Sequence, residues 1–267
     1  MNDGAPPVIV IEDFHKTYRD TVAVAGLSLH VRAGEILGLV GPNGAGKTTT
    51  LRSLCGIIPP TRGRITIAGF DLAAHPIEAK SRLAYIPDDP KLFDMLTVAE
   101  HLEYMAAAYR VSDAEAKSAR LLEQFELTAK QGALAQELSR GMRQKVAICC
   151  AYLHDPAAII FDEPFTGLDP RAIRTLKNSI AAQAGIGTAI IISSHLLDVV
   201  EDLCSHLLIL DHGERRFFGP LQDVRAAFAS LREDESLEEI FFRATEGTPA
   251  TPDRTAEVQP AAVERVP

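Results

Sequence analysis

The sequence predicts an α/β fold with a mainly parallel sheet and a block of helices inserted into it. Three observations predict it. Short apolar runs at Glu35–Val40, Ala157–Phe161 and Thr188–Ile192 have the compact hydrophobicity of strands buried on both faces. Helical stripes separate them: Leu51, Leu54 and Cys55 fall at i, i+3 and i+4 before Gly56, and Leu196, Leu197, Val200, Leu203 and Cys204 share one face. Between the strands, the stretch from about Thr97 to Leu153 reads as nearly all helix, which suggests a subdomain over residues 91–155 rather than a simple crossover.

The remaining elements follow from local chemistry. Arg64-Ile65-Thr66-Ile67 alternates between Gly63 and Gly69, a strand pattern. Thr97–Glu100, Ser112–Glu115 and Ser236–Glu239 each place a hydroxyl three residues before a glutamate, the pattern of a capping box, and predict three helix starts. Beyond Arg243 the chain is rich in Pro, Thr and Ala without periodicity, so residues 244–267 are expected to form a disordered tail. The sequence contains no internal repeat.

Composition bounds the function class. With 27 Lys+Arg against 36 Asp+Glu in 267 residues, the net charge is −9, which argues against a general nucleic-acid binder. The 46% hydrophobic content supplies ample material for a core. The longest apolar run, Val146–Leu153, falls far short of the ~18 residues of a membrane span. The first residues have neither the basic nor the apolar region of a secretory leader. Cys55, Cys149, Cys150 and Cys204 lack metal-ligand spacing and read as small buried hydrophobes in a reducing compartment.

Chemistry enters at Gly41-Pro42-Asn43-Gly44-Ala45-Gly46-Lys47-Thr48, which fits G-x-x-x-x-G-K-[ST] between a predicted strand and a predicted helix. Glycines allow backbone N–H groups to converge on phosphate oxygens, and the following helix directs its positive end at them. Lys47 supplies a cation for β- and γ-phosphates, and the Thr48 hydroxyl suits Mg²⁺. The motif alone does not separate kinases, GTPases and motor ATPases, although no Asn-Lys-x-Asp guanine reader follows. Ala158–Phe161 then runs into Asp162-Glu163-Pro164. Paired acids at the end of a buried strand suit Mg²⁺ at Asp162 and polarisation of an attacking water by Glu163.

Three further segments complete an ordered set: Leu138-Ser139-Arg140-Gly141-Met142-Arg143-Gln144-Lys145, Thr166-Gly167-Leu168-Asp169-Pro170 and Ile192-Ser193-Ser194-His195. Together with the phosphate loop and the Asp162-Glu163 strand, they resemble the nucleotide-binding subunit of an ATP-binding cassette (ABC) transporter, over residues 8–243. The resemblance implies a P-loop NTPase core, an N-terminal antiparallel β part and the inserted helical subdomain. It implies ATP and Mg²⁺ as ligands, held by Gly41, Asn43, Gly44, Ala45, Gly46, Lys47, Thr48 and Thr49, with Tyr18 stacked on adenine. Glu163, His195 and Lys47 would be catalytic, and Thr48, Asp162 and Asp88 would face the metal. Ser139 and Gly141 match the signature loop, which in the family contacts the γ-phosphate bound by a second copy, and Asp169 matches a loop at that dimer interface. Each position has a plainer reading too: Ser139 and Asp169 suit helix caps, and a lone histidine such as His195 is often structural.

This sequence departs from the family pattern twice. Arg140 and Met142 stand where Gly and Gln are usual in the signature, and Asp88 stands where the segment Leu83-Ala84-Tyr85-Ile86-Pro87 is usually followed by glutamine. Both departures, with Ser236–Phe241, resemble the branch serving bacterial ABC-2-type exporters. The implied assembly is a homodimer of ATPase subunits bound to a transmembrane permease at the cytoplasmic face of the membrane, with no nucleic acid. Alternatives are a soluble ABC ATPase of ribosome or DNA-repair machinery, which usually carries two cassettes, and a non-hydrolysing scaffold, against which Glu163 argues.

Overall fold

The computed structural model describes residues 6–228 and 236–246. In chain order, β1 (Ile9–Tyr18), β2 (Thr21–Val31) and β3 (Ile36–Val40) precede α1 (Lys47–Leu54), and β4 (Arg62–Ile67), β5 (Phe70–Asp71), α2 (Pro76–Ser81) and β6 (Leu83–Ile86) follow. Three helices come next: α3 (Val98–Tyr109), α4 (Ala114–Gln124) and α5 (Arg140–Tyr152). The chain then alternates through β7 (Ala158–Asp162), α6 (Pro170–Gly185), β8 (Ala189–Ser193), α7 (Leu197–Leu203), β9 (His206–Asp211) and β10 (Glu214–Pro220). Helices α8 (Val224–Ala227) and α9 (Leu237–Glu246) complete it.

These strands build two sheets. One is antiparallel, in the order β2-β1-β4-β5, and the other runs β10-β9-β3-β8-β7-β6. In the second, β9, β3, β8, β7 and β6 are mutually parallel and only β10 is antiparallel. Because side chains alternate across a strand, the apolar runs divide between two cores. Leu37, Leu39, Ile160, Ile191 and Leu208 face the antiparallel sheet and α1. Ile159, Phe161, Ile190, Ile192 and Ile209 face a second cluster that includes Leu176 of α6, Val200 of α7 and Ile240 of α9. Burial on both faces explains why these strands show continuous rather than alternating hydrophobicity.

The helical block packs onto that second core: Val98 and Leu102 of α3, Leu122 of α4 and Val146 and Ile148 of α5 belong to the same cluster as Phe161. Thr97 and Glu100 form the expected capping box at α3, and Ser236 and Glu239 exchange the same bonds at α9. The box expected at Ser112–Glu115 is not made. Asp113 stands at that N-cap with φ 52° and no side-chain bond, and this left-handed entry denies the hydroxyl the extended geometry that capping needs. The block is also less uniformly helical than expected, since only two short 3₁₀ turns, Thr128–Lys130 and Ala135–Glu137, lie between α4 and α5.

Residues 244–246, expected to belong to the tail, are helical instead. Helix α9 continues to Glu246, with Thr245 Oγ1 donating to the Phe241 carbonyl and Ala244 packed against the core. The rest of the expected tail, residues 247–267, lies outside the described residues. All four cysteines are buried and free, and burial pushes the Cys150 and Cys204 thiols up to about 12. Among the described residues, no helix is long and apolar enough to cross a membrane.

Candidate nucleotide-binding and catalytic site

Strand register sets the site. Leu39 of β3 and Asp162 of β7 both lie opposite Ser193 of β8, so three parallel strands end at one sheet edge. The phosphate loop leaves β3 there, Glu163 follows β7 and His195 follows β8. Carboxyl ends of parallel strands are where open α/β sheets bind ligands.

The phosphate loop turns directly into α1. Gly46 is the N-cap with φ 100°, a left-handed conformation open to glycine, and a Cβ there would lie 2.5 Å from the Ala23 carbonyl. No side chain caps this helix end and its first turn carries no acid, so the leading N–H groups of α1 are free to face an anion. Lys47 is half-buried and its Nζ donates to the Gly41 and Pro42 carbonyls at 2.5 and 3.2 Å. Burial pushes its pKa down, while Glu163 and then Asp162 oppose that shift. Asn43 and Gly44 are exposed at the loop tip, and the carbonyl of buried Ala45 accepts from Gly213 N–H at 3.1 Å. Thr48 is exposed and Thr49 half-buried on the first turn of α1.

The acids at the end of β7 have separate environments. Asp162 is only 8% exposed; its Oδ1 accepts from Ser193 Oγ at 2.6 Å and its Oδ2 from Tyr85 Oη at 3.3 Å. Burial raises the Tyr85 phenol far above its ordinary value, and the Asp162 charge adds to the rise, so Tyr85 remains a donor. Glu163 adopts φ 51°, uncommon for a residue with a Cβ and a conformation found where function constrains the chain. Its N–H donates to the Ser193 carbonyl and reaches Ser193 Oγ, at 3.1 and 3.2 Å. Its Oε2 accepts from His195 at 2.7 Å from Nδ1 and 3.3 Å from the backbone N–H.

Tyr18 closes β1 opposite Thr21, and its ring is 44% exposed. The hairpin approaches the phosphate loop through Ala23, and Lys16 Nζ lies 5.0 Å from the Tyr18 ring centroid. Ser139 and Asp169 both act as caps: Ser139 Oγ accepts from Met142 N–H at 3.2 Å, and Asp169 Oδ1 from Ala172 N–H at 2.8 Å. Gly141 is half-buried beside the Gly167 carbonyl.

Asp88, expected to face the metal, lies against Arg140. Its Oδ1 accepts from Arg140 Nη2 at 2.6 Å. The two family departures, Asp88 and Arg140, therefore lie side by side. The sequence reading missed Tyr85 as a partner of Asp162, although it stands three residues before Asp88; Ser193 was visible only as the neighbour of His195.

The residues fit a nucleoside triphosphate with a divalent cation. Uncapped N–H groups at α1, a half-buried ammonium and a buried carboxylate meet at one edge, with an exposed aromatic ring on the adjoining hairpin. Residues 24–166 match the family described as ABC transporter. The chain is 35% identical to the ABC-type transporter ATP-binding protein EcsA of Bacillus subtilis, over 89% of this chain and 96% of that protein. It is 34% identical to the Nod factor export ATP-binding protein I of Ralstonia nicotianae, over 79% of this chain and 67% of that one. A solved structure of an ATP-binding subunit of an ABC transporter superposes with a TM-score of 0.85 at 36% identity, covering 89% of this chain and 99% of that one. The protein belongs to the ABC transporter family, as an ATP-binding subunit.

Proposed function

We propose that the protein hydrolyses ATP in a head-to-tail dimer and thereby powers a membrane exporter. The observation that carries hydrolysis is the Glu163–His195 pair beside the phosphate loop, with the carboxylate oriented at 2.7 Å by the imidazole. In this reading the N–H groups of Gly44, Ala45, Gly46, Lys47, Thr48 and Thr49 receive the phosphates, with Gly41 and Asn43 shaping the loop. Lys47 exchanges its carbonyl partners for β- and γ-phosphate oxygens, and Tyr18 stacks on adenine. Glu163 orients and deprotonates the attacking water, while His195 holds Glu163 and faces the γ-phosphate. Thr48 and Asp162 would hold Mg²⁺, which neutralises charge on the phosphates when bound. Ser139 and Gly141 would meet the γ-phosphate held by the second copy, with Asp169 at the interface.

The exporter assignment is supported by the export function named for the Ralstonia relative. A transmembrane permease would supply the path through the bilayer, since none of the described helices is long and apolar enough to cross it. A groove of about 420 Å³ between β6 and helices α3 and α5, lined by Tyr85, Pro90, Phe93, Tyr104, Tyr109 and His154, offers it a docking place. Phe93 and Tyr104 are each more than half exposed there, which suits an apolar partner segment. The protein would then sit peripherally on the cytoplasmic face of the membrane.

The test combines Mg-ATP hydrolysis with light scattering of Glu163→Gln. That variant should bind ATP, cleave it at least about a hundredfold more slowly and accumulate as a dimer. A Glu163→Gln protein that stays monomeric in saturating Mg-ATP, with the co-purified permease present as well, contradicts the sandwich.

A further inference from the structure

Helix α5 begins with an unusual distribution of charge. Arg140 and Arg143 occupy its first turn and no acid does, although negative groups are the stabilising ones at a helix N-terminus. Arg143 turns back, its Nη1 donating to the Leu138 carbonyl at 2.6 Å. Arg140 instead reaches out of the helix to the loop after β6. Its Nη2 donates to Asp88 Oδ1 at 2.6 Å and lies 3.5 Å from the Asp88 carbonyl oxygen.

On the way, the Arg140 stem crosses a third loop. Gly167 lies between Glu163 and Asp169 with φ 76°, and a Cβ there would sit 3.4 Å from Arg140 Cδ. Gly141 approaches the same segment, since a Cβ on it would lie 3.3 Å from the Gly167 carbonyl oxygen. One side chain therefore connects the loop leaving β6, the loop leaving β7 and the Ser139 end of α5. The Arg140 and Asp88 side chains are 43% and 48% exposed, so solvent screens the pair and it contributes little to stability. What it fixes is geometry.

We propose that Asp88 and Arg140 form a positioning pair that sets the Ser139–Gly141 helix end relative to the loop beginning at Glu163. This rests on the reading that the Ser139 end meets ATP held by a second copy. A change at either loop is then transmitted to the other through a single guanidinium. Its long stem packs on Gly167 while one terminal nitrogen reaches the carboxylate. Each residue is the other's charge complement.

A double-mutant cycle tests this. Asp88→Asn and Arg140→Gln should each lower kcat for ATP about five- to tenfold, with KM changed less than about twofold, because the phosphate loop is untouched. Melting temperatures should be unaltered. The double variant should be no slower than the slower single variant, and Arg140→Lys should retain most of the activity. Losses that multiply in the double variant, or single variants as fast as the unmodified protein, overturn the pairing. The Glu163→Gln dimer assay reports on the sandwich independently, so a protein that dimerises but shows multiplicative losses rejects the pair alone.

Discussion

His195 holds Glu163 from two sides, through its imidazole Nδ1 at 2.7 Å and its backbone N–H at 3.3 Å, both directed at the same carboxylate oxygen. With Nδ1–H as donor, Nε2 is the ring atom left to face outward, on a side chain that is 64% exposed. Glu163 is only 22% exposed, so the histidine orients a carboxylate with few other ways to be held. The pair arises because β7 and β8 are register-matched at Asp162 and Ser193, one residue before Glu163 and two before His195.

From this geometry, His195→Ala should lower kcat about 10- to 100-fold, within the range of a general base losing its orientation, and change KM for ATP little. Steady-state ATPase kinetics decide it. An unchanged kcat removes the histidine from the reaction.

Lys47→Ala should abolish hydrolysis. It would remove the charge-assisted hydrogen bonds proposed between Lys47 and the phosphates, each worth about 1.5–3 kcal/mol, so nucleotide affinity should fall at least about tenfold. Fluorescent-nucleotide titration with a parallel ATPase assay measures both effects.

Tyr18 separates stacking from hydrogen bonding. Tyr18→Phe should bind ATP like the unmodified protein, whereas Tyr18→Ala should weaken binding about five- to a hundredfold, since base–aromatic stacking is worth about 1–3 kcal/mol. Equal affinity in all three proteins assigns the ring a different role.

Helix α9 should prove integral to the fold. Ile240 is fully buried in the core cluster, so Ile240→Ala should cost about 2–5 kcal/mol and lower the melting temperature accordingly. A melting temperature within a degree of the unmodified protein indicates that α9 packs loosely.

Much of the fold was legible because it is written in short-range periodicity. The runs Ala157–Phe161 and Thr188–Ile192 appear as β7 and β8 within a residue of their expected bounds. The capping chemistry at Thr97, Ser139, Asp169 and Ser236 depends only on neighbours three residues away, and it formed. Ser112 failed for a reason that sequence spacing does not carry, because the left-handed Asp113 sets a backbone direction that overrides the pattern.

By itself, the sequence determined the residue types of the phosphate loop, the acids that end β7 and the alternation of strand and helix, since each follows from chemistry within a few residues. Tertiary structure decided which of those groups meet. It placed Asp162 between Ser193 and Tyr85, turned Glu163 toward His195 and paired Asp88 with Arg140. Such pairings depend on strand register and on loops brought together from 31 to 77 positions apart. A local pattern specifies the groups at each end of such a separation, while the packed sheet and helices fix the few ångströms between them.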